Sequence, residues 1–259
     1  VSTEKLTTIL DYPTETYVEG SSFPKSDYSI FINNVVIVDK VFGSELVAKN
    51  LKINKNEKIC ISGDSNRTLN DFIDILSGMK ENFTGSIKFN ETNIKNISRL
   101  EYHDKIATLN KNDEIFRGSL YDNLSMNRSI PKDKIDEMVN EFELQNFVES
   151  CPKGLEQKMY PGGKNLNTSV LNKLLIARAL LKNSELIVAN DFFSRFEPIE
   201  KRNLINQLMK KSKTLIIASN DPEIALNCDR LFKYRNGQII EILDFKSKIN
   251  ESSFGELIK

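Results

Sequence analysis

Few residues in this chain are of the types that perform hydrolytic or metal chemistry. There is one histidine, His103, and the three cysteines, Cys60, Cys151 and Cys228, are far apart and lack C-x-x-C spacing. Zinc sites and disulfide frameworks need closely spaced cysteine or histidine residues, and Ser/His/Asp or Cys/His triads need a histidine beside a nucleophile. The sequence therefore argues against a zinc site, a disulfide framework and most triad chemistries, and favours a reducing cytosolic setting. We expect His103 to be a surface or helix-packing residue.

Composition and charge narrow the class of protein. The 259 residues include 36 Lys+Arg and 36 Asp+Glu, which gives a formal net charge of +0, with 39% hydrophobic and 28% charged residues. This content suits one large domain or two small ones, and it offers no basic surface for nucleic acid. No apolar run approaches the roughly 18 to 20 residues of a membrane-spanning helix. Because the chain begins with Val1 and not Met, we expect it to be a piece of a longer protein.

The apolar pattern predicts an α/β order. Strand-like runs occupy residues 30–32, 35–38, 51–53 and 58–63, and an apolar helix face at Leu69, Phe72, Ile73 and Leu76 follows, closed by Gly78. Strands return at residues 84–89 and 106–109, before a mostly helical stretch at 120–181. The continuous apolar runs 186–189 and 215–218 are typical of strands buried on both faces of a parallel sheet.

The last third of the chain carries two local signals. Residues 231–234 and 238–241 flank Asn236 and Gly237, which is a hairpin pattern. The small acidic cluster at Asp221, Pro222 and Glu223 is interpreted as a solvated turn.

The local strings resemble those of the nucleotide-binding domain of ABC transporters, over roughly residues 28–243. The string from Ile176 to Leu181 (I-A-R-A-L-L) is the most specific, because it is similar residue for residue to the helix after the family's signature motif. The strings at 116–124, 154–156 and 228–231 also resemble sequence strings of this family. The resemblance implies an ABC ATPase-like α/β fold, with a P-loop NTPase or RecA-like core, an antiparallel β subdomain and a helical subdomain at about 112–181. It further implies a connector at 1–26 from an upstream transmembrane domain, the ABC domain itself at 27–247 and a tail at 248–259.

The family's phosphate loop, G-x-x-x-x-G-K-[ST], wraps phosphates with backbone N–H groups while its lysine and hydroxyl residue hold the γ-phosphate and Mg²⁺. The resemblance places this loop at Gly63, Asp64, Ser65, Asn66, Arg67, Thr68, Leu69 and Asn70. Leu69 replaces the lysine, Asn70 replaces the hydroxyl residue, and β-branched Thr68 replaces the second glycine. The resemblance therefore implies a loop that has lost the charge and the backbone freedom for phosphate.

An alternative interpretation of this turn needs no ligand. Thr68 and Asp71 have the spacing of a capping box, which would satisfy the first N–H groups of the helix. We also expect Arg67, Lys111, Asp64, Asp71 and Asp191 to converge, with at least one cation to carboxylate contact within about 4 Å.

The other positions that serve ATP in the family are also replaced here. The resemblance aligns Lys111 with the glutamine that senses Mg²⁺, Asn190 and Asp191 with the Asp-Glu pair, Asn220 with the switch histidine, and Asp39 with the aromatic that stacks on adenine. Asn190 cannot offset the charge of Mg²⁺, and Asp191 is one methylene short as a base. The signature L-S-G-G-Q aligns with Leu166, Asn167, Thr168, Ser169 and Val170, so both glycines are absent.

These replacements favour a degenerate, non-hydrolysing domain of an exporter-type ABC transporter at the cytoplasmic face of a membrane. Its expected partners are a transmembrane domain and a second ABC domain, in a homodimer or a heterodimer. We expect no metal site and no effective cofactor binding. The first alternative is the ATP-binding half of an active exporter ATPase, which would bind ATP and Mg²⁺. The second is an interaction module that kept the fold without transport, and fold alone does not decide among the three.

Overall fold

The structure is a computed structural model that describes residues 20–24, 27–39, 43–63 and 67–249. The predicted connector and tail lie largely outside these residues. The thirteen strands of the described part are β1 (Ser29–Asp39), β2 (Ser44–Ala48), β3 (Leu51–Asn54), β4 (Lys58–Gly63), β5 (Thr84–Phe89), β6 (Thr92–Asn93), β7 (Ile106–Asn110), β8 (Gly118–Ser119), β9 (Lys158–Met159), β10 (Leu186–Asn190), β11 (Thr214–Ala218), β12 (Arg230–Arg235) and β13 (Gln238–Ile242).

Nine α-helices occur in the same described ranges, with four short 3-10 turns between them. The helices are α1 (Arg67–Leu76), α2 (Arg99–Lys105), α3 (Leu120–Ser125), α4 (Lys132–Glu141), α5 (Gln145–Ser150), α6 (Thr168–Leu181), α7 (Pro198–Lys211), α8 (Pro222–Asn227) and α9 (Phe245–Ile249). The longest have 14 residues, and none in the described part combines the length with the apolar content that a bilayer crossing requires.

Eleven of the strands form one mixed sheet. Its order is β6-β5-β1-β2-β13-β12-β4-β11-β10-β7, with β3 paired to β1. The strands from β12 to β7 run parallel, whereas β1 pairs antiparallel with β2, β3 and β5. The two halves join where β13 runs parallel to β2. The predicted position of β10 beside β11 is confirmed, with Asn190 opposite Ala218.

The sheet separates two apolar layers, because successive side chains of a strand point to opposite faces. The first apolar layer takes Cys60, Ala189 and Ile217 from the parallel strands and packs them against α6, α7 and the helical insert. The second takes Ile61, Val188 and Ile216 and packs them against α1 and the antiparallel strands. The central parallel strands are therefore buried on both faces, as their continuous apolar runs predict.

The helical insert follows β7 and contains α3 to α6. The stretch predicted to be helical at 120–147 is confirmed, because α3, α4 and the start of α5 occupy it. The hairpin prediction is also confirmed: β12 pairs antiparallel with β13, and Asn236 and Gly237 both have positive φ, as a type I′ turn requires.

The interpretation of Asp221, Pro222 and Glu223 as a solvated turn is wrong. Asp221 is the N-cap of α8 and accepts a hydrogen bond from the Glu223 N–H at 2.9 Å, and Pro222 is the first helical residue. The two carboxylates pair with Lys201 and Arg202 of α7. The acidic cluster therefore joins two helices.

Candidate functional site

The replaced residues meet where the parallel strands end. β4, β11, β10 and β7 lie side by side and finish at the same edge of the sheet. We call Gly63, Lys111, Asn190, Asp191 and Asn220 the strand-end edge, since each ends one of these strands or follows it within two residues. Carboxyl ends of parallel strands are where open α/β sheets bind ligands. Asp64, Ser65 and Asn66 of the predicted loop lie outside the described residues.

Gly63 is fixed by its neighbours in the fold. Its φ is +147°, and a Cβ atom at this position would lie 2.6 Å from the carbonyl oxygen of Tyr234 on β12. The Gly63 N–H donates to Asn220 Oδ1 at 2.8 Å, and Asn220 Nδ2 donates back to the Gly63 carbonyl at 2.9 Å. The one loop glycine that remains is therefore required by the packing of β12, independently of any phosphate.

The first turn of α1 faces inward. Thr68 lies within α1 (Arg67–Leu76) and is not its cap, so the predicted capping box is wrong. Thr68 is buried, with its hydroxyl 3.1 Å from that of Tyr234, which donates to the Glu45 carbonyl. Leu69 is 4% exposed and belongs to the second apolar layer. The position that resembles the phosphate-loop lysine is thus part of the core.

Side chains bridge neighbouring elements across the edge. Lys111 Nζ lies 3.1 Å from Asp191 Oδ2, which confirms the predicted cation to carboxylate contact. Asn190 Nδ2 donates to Asn70 Oδ1 at 3.3 Å and so links the end of β10 to α1. Asp191 has a left-handed backbone, φ 49°, and its N–H donates to the Ala218 carbonyl.

Arg67 and Asp71 pair with charges other than Lys111 and Asp191, and Asp64 lies outside the described residues. Arg67 Nε lies 3.4 Å from Oδ2 of buried Asp39, at the end of β1 where the resemblance expects an adenine-stacking aromatic. Asp71 pairs with Lys80 beyond the end of α1. The expected convergence is therefore wrong for Arg67 and Asp71.

The segment that resembles the signature motif begins α6, in the helical insert. Asn167 is the N-cap, and its Oδ1 accepts a hydrogen bond from the Val170 N–H at 2.8 Å. Thr168 is exposed, whereas Leu166, Ser169 and Val170 are half-buried. The Asn167 side-chain oxygen is therefore used within the helix itself.

Sequence reasoning missed the polar connection that holds the insert together. Arg178 of α6 donates from Nε to the Asn123 carbonyl at 2.8 Å, from one terminal nitrogen to Asn123 Oδ1 at 2.9 Å, and from the other to the Glu114 carbonyl at 3.0 Å. Asn123 Nδ2 donates to the carbonyls of Phe116 and Ser119. Burial lowers the pKa of Arg178 below its ordinary value. The string around Arg178 marked the helix, but its partners are more than 50 residues away and left no local signal.

The chemistry that this edge supports is limited. No group of three or more His, Cys, Asp or Glu side chains in the described ranges is arranged to hold a metal. The amides of Asn190 and Asn220 do not accept protons near neutral pH. Asp191, the carboxylate of the edge, is paired with Lys111. His103, the single histidine of the chain, is exposed on α2, as expected of a surface residue.

Comparisons with known proteins match this architecture. The family model described as ABC transporter matches residues 46–193. An uncharacterized ABC transporter ATP-binding protein of Haemophilus influenzae is 26% identical over 245 residues, which are 93% of this chain and 43% of that protein. The pediocin PA-1 transport/processing ATP-binding protein of Pediococcus acidilactici is also 26% identical, over 93% of this chain and 35% of its own length.

The solved structure of a bacterial Atm1-family ABC exporter with ATP bound superposes with a TM-score of 0.83 at 14% identity, over 98% of this chain and 46% of that chain. This match confirms the predicted fold class. The chain spans less than half the length of these relatives.

Proposed function

Since the chain belongs to the ABC transporter family, we propose that it is a degenerate, non-hydrolysing nucleotide-binding-like domain of an exporter-type transporter. In this role it is a structural or regulatory partner of membrane helices and of a second ABC domain, at the cytoplasmic face of a membrane. The transmembrane domain belongs to the same chain or to a partner chain.

The observation that carries the proposal is the burial of Leu69. A lysine at this position would need its ammonium in solvent or on a phosphate, whereas the leucine side chain packs between α1 and the sheet. An anion at the start of α1 would also meet buried Thr68 in place of a flexible glycine. The residues present do not fit a triphosphate with Mg²⁺.

The bridges across the strand-end edge support the same proposal. The Asn220 side chain forms hydrogen bonds with both the N–H and the carbonyl of Gly63, and Lys111 forms an ion pair with Asp191. Asn190 contacts Asn70, the residue at the position of the Mg²⁺-binding hydroxyl. The protein thus supplies its own contacts where the family's ligand would make them.

The expected loss of affinity is large. If the lysine and two further charged contacts were each worth about 1.5 to 3 kcal/mol, their loss would weaken binding by about three to six decades at 1.4 kcal/mol per decade. The second candidate, an ATP-binding half of an active exporter, is favoured by the names of the relatives. Against it, changes in both the phosphate loop and the signature segment would affect both composite sites of a dimer.

A thermal melt with and without Mg²⁺-ATP tests the proposal. A ligand at 1 mM with a Kd near 10 μM would add about 2.7 kcal/mol to the free energy of unfolding, which is several degrees in melting temperature for a domain of this size. We expect no rise beyond that produced by sodium sulfate at equal ionic strength. An ABC domain with an intact phosphate loop serves as the positive control. A reproducible ATP-specific rise of several degrees would overturn the proposal in favour of the ATP-binding alternative.

A further inference from the structure

A second concave surface lies away from the strand-end edge. It is a cleft of about 660 Å³ between the start of α6, one face of α7 and the turn after α4. Its apolar floor includes Phe142 and Leu204, both buried. Its volume falls in the usual range for ligand pockets. The cleft is therefore large enough to take one or two side chains of another molecule.

The cleft carries an excess of negative charge. Three of its lining residues are the carboxylates Glu143, Glu197 and Glu200, and Lys173 is its one cation. Lys173 Nζ lies 3.4 Å from Glu143 Oε2, so this pair offsets itself. The net negative charge of the cleft therefore comes from Glu197, which precedes α7, and from Glu200 in the first turn of α7.

Two buried acceptors of the cleft lack donors. Oε1 of Glu200 and Oε1 of Gln207 are buried and accept no hydrogen bond from the residues that the structure describes. The Gln207 amide nitrogen is already used, since it donates to the Glu141 carbonyl at 2.8 Å. The two residues are seven apart on α7, hence on one face and about 10 Å from each other along the axis. Buried acceptors without donors are uncommon in folded proteins, and each calls for a donor such as a water molecule or a ligand group.

An apolar residue stands at the mouth of the same cleft. Ile199, in the first turn of α7, is 82% exposed, the largest fraction among the large hydrophobic side chains of the described residues. It lies between Glu197 and Glu200 in the sequence and lines the cleft with them. A ligand that offers only charge would leave this side chain in water.

We propose that this cleft binds a segment of a partner polypeptide in which an arginine side chain lies next to an aliphatic one. Charge complementarity selects the cation, and the guanidinium can donate two parallel hydrogen bonds to a carboxylate such as that of Glu200. The aliphatic neighbour packs on Ile199. The cleft uses none of the residues of the strand-end edge, and of the signature-like segment only Ser169 lines it.

The test uses the chain with ¹³C-labelled isoleucine methyl groups and the probe acetyl-Leu-Arg-Leu-amide. The Ile199 resonance is assigned by its loss in Ile199→Val. We expect this resonance to shift saturably with the probe. The matched peptide in which citrulline replaces arginine keeps the shape and loses the charge, so we expect it to bind about threefold to tenfold more weakly. The substitution Glu200→Gln should weaken the binding of the arginine peptide by a similar factor.

Two controls separate the cleft from general electrostatics. Glu91→Gln removes an exposed carboxylate in the turn between β5 and β6 and should leave binding unchanged. Glu197→Gln gives a second test should Glu200→Gln fail to fold, which a melt of each variant reveals. Equal binding of the arginine and citrulline peptides, unchanged binding in Glu200→Gln, or no shift at all would overturn the proposal. If spermidine binds as tightly as the arginine peptide, the proposal is also overturned, because the cleft would then be a general cation site.

Discussion

Asn220 and Gly63, 157 positions apart, are joined by two hydrogen bonds between one side-chain amide and one residue's backbone. The contact ties the segment after β11 to the end of β4, next to the position where the family resemblance places a phosphate loop. An asparagine side chain can bond both backbone groups of one residue in this way because its amide holds a carbonyl acceptor and N–H donors at a fixed separation.

Replacement of Asn220 by alanine should destabilise the fold. Two hydrogen bonds of about 1 kcal/mol each are lost, so we expect the melting temperature to fall by about 2 to 8 °C. Asn146→Ala is the control, because Asn146 is exposed on α5. If both variants melt alike, the contact does not stabilise the strand-end edge.

Restoring the family's lysine should harm this protein. Leu69→Lys places an ammonium in the second apolar layer, and we expect a loss of about 3 kcal/mol in the free energy of unfolding. Leu69→Met keeps the volume and should cost about 1 kcal/mol. Denaturant unfolding measures both. A Leu69→Lys variant as stable as the parent chain would show that the side chain at this position can reach solvent.

Two buried asparagines should respond in opposite directions to alanine substitution. Asn172 on α6 is 0% exposed and neither of its amide atoms has a hydrogen-bond partner among the described residues, whereas Asn123 on α3 is 1% exposed and fully bonded. Asn172→Ala removes an unsatisfied amide and adds helix propensity, so we expect a gain of about 1 kcal/mol. Asn123→Ala leaves its partners, Arg178 among them, without their hydrogen bonds and should cost about 3 kcal/mol. Equal losses in the two variants would contradict this assignment.

Lys182 should make stability depend on alkaline pH. Burial lowers the pKa of this lysine from 10.5 to about 8. Between these values the unfolded chain binds more protons at this site, so the contribution of Lys182 to stability rises with pH across the window from about 8 to about 10.5. The measurement is the free energy of unfolding of the parent chain minus that of Lys182→Met, from pH 7 to 10. Lys153→Met, at an exposed site, is the control for the substitution itself. A flat difference for Lys182 would mean that the ammonium stays charged on the carbonyls of His103 and Ile106, to which it donates.

The order of strands and helices could be predicted from the sequence because burial on two faces produces continuous apolar runs. β2 was missed: it is only five residues long, and although it pairs with the preceding β1, its other edge pairs with β13, almost 200 residues later, with Val47 opposite Gln238. The pairing with β13 has no local pattern.

The site was predicted only as a set of residue types. The contacts of Lys111 with Asp191 follow from the strand order, because adjacent parallel strands end together. The contact of Arg67 with Asp39 does not follow, since it depends on which face of α1 turns towards β1, and the contact of Asp71 with Lys80 depends on the turn after α1. The capping box failed because Thr68 lies inside α1, whereas the apolar pattern places it just before the helix.

The two apolar layers on opposite faces of β4, β11 and β10 have a consequence for amide hydrogen exchange. A peptide N–H in these strands reaches solvent only if the layer with α6 and α7 and the layer with α1 are both breached. Local opening of either layer alone leaves the strands protected, so their amides exchange through unfolding of the whole domain. The slowest exchange rates in β4, β11 and β10 are therefore a direct measure of the global stability of this domain.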